Sequence, residues 1–156
     1  MARLVRSCRF TQRHGTLVII LAVAFREYGL SVDLYSDPDP APQAIERRCY
    51  CLAEKLGGRM HPAVELPQLL TQVGPRTVAV VNYDADPDSA HLSHILPRDA
   101  GTVYLPYAET EQNEVMEVAE FLRLWSAPEI YRQCLVVTRK GQSGRYSRAH
   151  LEASGR

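Results

Sequence analysis

VAVVNYDADPDSAHLSHILPRDAGTVYLP, residues 78–106, is the stretch whose reading decides the fold. Thr77 to Asn82 is a nearly continuous β-branched run, which predicts a central strand covered on both faces. Asp84 to Ser89 is rich in Asp and Pro and predicts a turn. His91 to Leu96 and Thr102 to Leu105 then read as two strands, joined by Pro97-Arg98-Asp99-Ala100-Gly101, a connection short enough for a hairpin. Successive strands this close in sequence pair antiparallel.

Working backwards, helices precede this sheet. From Thr16, placed to cap, Leu17, Ile20, Leu21, Ala24, Phe25 and Tyr28 recur at helical spacing, with Val18, Ile19 and Val23 filling the flanks and Gly29 placed to stop. Ser31 to Ser36 sets Val32 and Leu34 against Asp33 and Tyr35, the period of a short strand. Asp37-Pro38-Asp39-Pro40 breaks the chain. Gln43 to Leu56 is an amphipathic helix with Ile45, Cys49, Leu52 and Leu56 on its apolar face, ended by Gly57-Gly58. Arg59 to Val64 reads as a short extended piece. Leu66 opens a short helix, with Pro67 in its first turn, Leu66, Leu69 and Leu70 inward, and Gly74-Pro75 closing it.

Forwards, Val115, Val118, Ala119, Leu122 and Trp125 predict a fourth helix, and Gln133 to Thr138 a last apolar strand. Residues 1–14 read as an irregular lead-in and residues 139–156 as a polar, basic, flexible tail. Helices gather in the first half and strands in the second, which predicts an α+β domain with a mainly antiparallel sheet over residues 15–138.

Composition narrows the function. The 156 residues, 46% hydrophobic, suffice for one well-packed domain. With 18 basic and 18 acidic residues, no net positive field exists to draw a phosphate backbone or an anionic membrane, so neither nucleic acid nor membrane is an expected partner. Thr16 to Phe25 is apolar behind a basic start, but Arg26 and Glu27 cut it well short of the ~20 apolar residues a span requires. It reads as a core helix rather than a signal segment. Cys8, Cys49, Cys51 and Cys134 do not form a disulfide framework in a chain with this much core material, and a reducing cytoplasm is the expected compartment.

Candidate chemistry is sparse. Cys49 and Cys51 point some 200° apart on a helix, so they predict buried thiols rather than a metal pair; Cys134 reads as core. His91 shares its side of the pleat with Ser93 and Ile95, while His94 faces the other way, so no shared metal is expected. By position alone His91 is an ordinary hydrogen-bonded or solvent-facing histidine, although an imidazole at a sheet edge suits proton transfer. Tyr83, Tyr104, Tyr107, Trp125 and Tyr131 are groove residues or interior packing. Gly57-Gly58 follows a helix, unlike a phosphate-cradling loop, and no cofactor is expected.

The order Gly15-Thr16, Tyr28-Gly29-Leu30, Leu66 to Gly74, Val78-Ala79-Val80-Val81-Asn82, His91, Gly101-Thr102-Val103-Tyr104 and Glu120-Phe121-Leu122-Arg123-Leu124-Trp125-Ser126 resembles the bacteriocin-leader-peptidase-like (double-glycine) branch of the papain-like cysteine peptidases. The resemblance spans roughly Gly15 to Val137. It implies a papain-like fold, a peptide or protein partner, and His91 as general base of a Cys-His pair.

The chain departs from that pattern twice. The family nucleophile follows a glutamine and precedes a glycine at the start of a long apolar helix, whereas Cys8 is followed by Arg9 and Phe10 with no glutamine before it. The place of the orienting Asp or Asn is taken by Pro106-Tyr107, with Glu109 out of register. The expectation is therefore an N-terminally truncated peptidase-like domain, incomplete or inactive as a hydrolase. The alternatives are a peptide-binding module on the same fold and a small α/β nucleotide- or sugar-binding domain, the last requiring parallel strands.

Overall fold

A computed structural model describes residues 17–86, 89–99, 101–106 and 114–139. Val18–Glu27 forms α1, and Gly29, at φ +78°, ends it as expected of a left-handed stop. Ser31–Ser36 is β1, Ala44–Lys55 is α2, Arg59–Pro62 is β2 and Leu66–Gln72 is α3. Thr77–Asp86 and Ser89–Asp99 are the long strands β3 and β4, followed by β5 at Thr102–Leu105. Glu114–Glu117 is β6, Val118–Trp125 is α4 and Cys134–Thr138 is β7.

The seven strands form one mixed sheet in the order β2-β1-β7-β3-β4-β5-β6. Five of its pairings are antiparallel and one, β1 with β2, is parallel. The α+β class with a mainly antiparallel sheet is thus as the sequence predicts. The helices divide between the faces. Val18, Ile19, Ala22 and Val23 of α1, with Ala53 of α2, bury Val32, Leu34, Leu135 and Val137 on one side. Leu66 and Leu69 of α3, with Phe121, Leu124 and Trp125 of α4, bury Ala79, Val81, Tyr83, Ile95 and Val136 on the other.

Several elements differ from their sequence reading, each for a tertiary reason. The acidic turn is shorter than Asp84 to Ser89, because β3 continues through a bulge at Asp84/Asp86 before pairing Asp86 with Ser89. Val115 belongs to β6 rather than to the fourth helix: it lies opposite Tyr104, and strand pairing overrides a spacing that also suits a helix. On α2 the inward residues are Ile45, Cys49, Tyr50 and Ala53, and Leu52 is exposed. Val78 is 42% exposed, because α1 and α2 lie over β1, β2 and β7 and leave that end of β3 open. Thr16, the expected cap, lies outside the described residues, as do the lead-in and nearly all of the tail.

The close of α2 depends on backbone that only glycine adopts comfortably. Gly57 has φ +79°, and a Cβ there would stand 2.9 Å from the Arg26 guanidinium. Arg26 spans the two helix ends, donating from Nη1 to the Leu30 carbonyl (2.7 Å) and from Nε to that of Leu56 (2.8 Å). Gly57→Ala is expected to destabilise the fold by about 1–2 kcal/mol, the cost of a left-handed non-glycine residue. Urea unfolding checks this as a lowered midpoint at unchanged slope.

Candidate functional site

Pairing places Tyr83 opposite His91, Val81 opposite Ser93 and Ala79 opposite Ile95. Directly opposed residues share a face, so His91, Ser93 and Ile95 stand on the α3/α4 side and exposed His94 on the other, the arrangement expected from the pleat. His91 is half-buried, its ring centroid 6.2 Å from that of Tyr83 and tilted by 51°. Tyr83 is fully buried, lies 6.2 Å from Phe121, and donates its hydroxyl to Glu114 Oε2 at 3.3 Å. Ser93 Oγ donates to the Pro106 carbonyl at 3.0 Å, tying β4 to the end of β5. Pro106, where an orienting side chain was sought, thus contributes a carbonyl bonded to serine; Tyr107 and Glu109 lie outside the described residues.

The described thiols, Cys49, Cys51 and Cys134, lie apart from this imidazole. Cys134 is completely buried in β7, opposite Tyr35 and Val81, and burial pushes its thiol up to about 12. Two strand spacings and a two-residue offset separate it from His91, about 12 Å in a regular sheet. Cys49 is half-buried on α2, packed against the opposite face, and Cys51 on the same helix is exposed. The expectation of buried thiols on α2 is therefore corrected for Cys51, which the helical rotation carries away from the sheet. Cys8 lies outside the described residues. Among the described residues, no three His, Cys, Asp or Glu side chains are grouped to hold a metal ion, and no helix is long and apolar enough to cross a membrane.

Cys51 is expected to react rapidly with an aromatic disulfide reagent in the native protein, and Cys134 only on unfolding. Peptide mapping after timed labelling checks this. The aromatic set divides similarly: Tyr83 and Trp125 are interior, whereas Tyr104 and Tyr131 are half-buried.

A second polar centre went unrecognised in the sequence. Asp33 is 8% exposed and receives Arg59 Nε at 2.6 Å and Nη2 at 2.7 Å, with His61 Nε2 at 2.8 Å from its Oδ1. Burial acts to raise the Asp33 carboxyl, but hydrogen bonds and charge from Arg59 and His61 outweigh it and hold the group below its ordinary value. The His61 ring stacks on Tyr35 at 4.8 Å, and the Tyr35 hydroxyl reaches Gln72 Oε1 at 3.4 Å. Asp33 looked like the solvent side of an alternating strand, and only its inner place between β2 and β7 makes it interior. The alternation Arg59-Met60-His61 was the available signal, since it sets the guanidinium and the imidazole on one face of β2.

A third cluster is structural. Arg132 donates from Nε and Nη2 to both Asp37 oxygens (2.7 and 2.9 Å) and from Nη1 to Glu65 at 3.1 Å. These bonds from Arg132 hold the Asp37 carboxyl below its usual range. They also join the loops after β1, before α3 and before β7, where Glu129, Tyr131 and Arg132 all have positive φ. No protein-family model and no curated protein matches the chain.

Proposed function

We propose that the chain is a papain-like cysteine-peptidase-type domain, of the leader-peptidase kind, that holds an extended peptide across its His91 face and does not cleave it. The observation that carries this reading is the separation of the imidazole from the three described sulfurs. His91 stands half-buried beside Tyr83 on one face of the sheet, while Cys134 is sealed within β7 and Cys49 and Cys51 belong to the helix on the other face. An imidazole activates a thiol only within hydrogen-bond reach, and the about 12 Å between the His91 and Cys134 positions is several times that. The order of elements around His91, with Thr102-Val103-Tyr104 in the neighbouring strand, supports the same family reading.

The test uses a fluorescein-labelled peptide ending in Gly-Gly, the substrate end that the family resemblance implies. The expected result is saturable binding by anisotropy, weakened by His91→Ala and retained when Cys8, Cys49 and Cys51 are serine and Cys134 is alanine, with no turnover in any form. Turnover lost on replacing a single cysteine would overturn the non-catalytic reading and make the chain a hydrolase. Binding indifferent to His91→Ala would remove His91 from the site.

A further inference from the structure

On the same face of the sheet as His91 but at its far end, on β1 and β2 beyond β3 and β7, the Asp33, Arg59 and His61 cluster has the elements of a reactive site. An ionised carboxylate only accepts hydrogen bonds, so at 2.8 Å from Asp33 Oδ1 the His61 Nε2 carries the hydrogen, and the neutral ring keeps its lone pair on Nδ1. That nitrogen has no hydrogen-bond partner among the described residues, and no buried side-chain polar atom there is left without one, so Nδ1 meets solvent. The Tyr35 ring, nearly parallel at 21°, holds the plane of the imidazole. Arg59 spends Nε and Nη2 on Asp33 and keeps Nη1 for an outside ligand, its side chain 68% exposed.

We infer that His61 is a nucleophilic imidazole for activated acyl groups on anionic compounds, oriented by Asp33, with the outer edge of Arg59 recognising the negative charge. The Nδ1 lone pair forms a bond to the acyl carbon, and the bond from that carbon to the leaving oxygen breaks with its electron pair, releasing an alkoxide or phenolate. The acylated ring carries a positive charge, which Asp33 balances through the Nε2 hydrogen. Water then adds to the acyl carbon and gives up one proton to the released alkoxide or phenolate or to solvent; the carboxylic acid departs, and the electron pair returns to Nδ1. The bland alternative is an ion cluster that merely fastens edge strand β2 to β1. It predicts no special reactivity at His61, so the two separate by experiment.

This inference stands apart from the peptide-binding reading, because no step uses His91. The test follows hydrolysis by the full chain of two acetyl esters, neutral para-nitrophenyl acetate and a carboxylate-bearing acetoxy-nitrobenzoate. Exposed His94, without a side-chain hydrogen bond among the described residues, serves as internal control. The expected result is that His61→Gln lowers the rate on the anionic ester by about a hundredfold, comparable with the low end of the effect of other positioned catalytic side chains. His94→Gln leaves it unchanged, and Arg59→Gln slows the anionic ester while sparing the neutral one. Asp33→Asn reduces the rate with the fold intact by circular dichroism. If Asp33→Asn does not fold, the variants of half-buried His61 and exposed Arg59, on edge strand β2, still decide the matter. Equal rates for wild type and His61→Gln, or an unchanged preference between the esters in Arg59→Gln, would overturn the assignment.

Discussion

Replacing Trp125 by alanine is expected to cost about 3–5 kcal/mol of unfolding free energy, the range for removing a large buried aromatic. The indole is 1% exposed and stacks on Phe121 with centroids 5.5 Å apart. Its N–H donates to the Gln133 carbonyl at 3.3 Å, and the same carbonyl accepts from the Asn82 amide at 3.1 Å. Trp125 therefore seats α4 on the sheet and also secures the entry to β7, the strand between β1 and β3. A domain of this size has about 5–15 kcal/mol in total, so the variant stands near the limit of folding. Trp125→Phe keeps most of the packing and isolates the hydrogen bond, worth about 1 kcal/mol. Chemical denaturation of the two variants checks both figures, and a loss below about 1 kcal/mol for alanine would show that α4 does not pack as described.

Removal of the Asp33 carboxylate is the next largest effect expected: Asp33→Ala should destabilise the protein by about 1.5–3 kcal/mol at neutral pH, the range for hydrogen bonds to charged groups. The upper end of the buried ion-pair range does not apply, because Arg59 remains two-thirds exposed and water solvates it once its partner is gone. The pH dependence gives an independent measure. The folded Asp33 carboxyl lies below its ordinary value of 3.8, so the unfolded chain binds its proton first as acid is added. The stabilisation is complete above the unfolded value and is lost as pH falls through the folded one. The stability difference between wild type and Asp33→Asn should accordingly shrink on acidification below about pH 4, in the window set by the unfolded aspartate pKa. A difference that stays constant from neutral pH to pH 3 would mean that Asp33 is not held ionised by Arg59 and His61.

How much was legible in advance varies with the range of the forces involved. The stop of α1 at Gly29, the Leu66 start of α3 with its inward Leu69, and the β4–β5 pairing were all readable, since each depends on neighbours within a few residues. The opposite orientations of His91 and His94 followed from the pleat alone. Residues 114–117 were not readable as a strand. Val115 fits the helical spacing of Val118 and Leu122, and only pairing with β5 draws it out of the helix. Nor was the Asp33 centre readable, because its partners lie 26 and 28 residues away on a strand that seemed merely extended.

Local composition by itself determined the class of this protein. Turn residues, strand runs and amphipathic spacing commit the chain to helices first and an antiparallel hairpin later, because those preferences act over a single turn or a single pleat. Strand order was decided only by the folded whole: β7, last in sequence, enters between β1 and β3, and that insertion makes Asp33 interior and Cys134 inaccessible. Burial is a property of what lies on either side of a strand, and for β1 one of those neighbours comes from the far end of the chain.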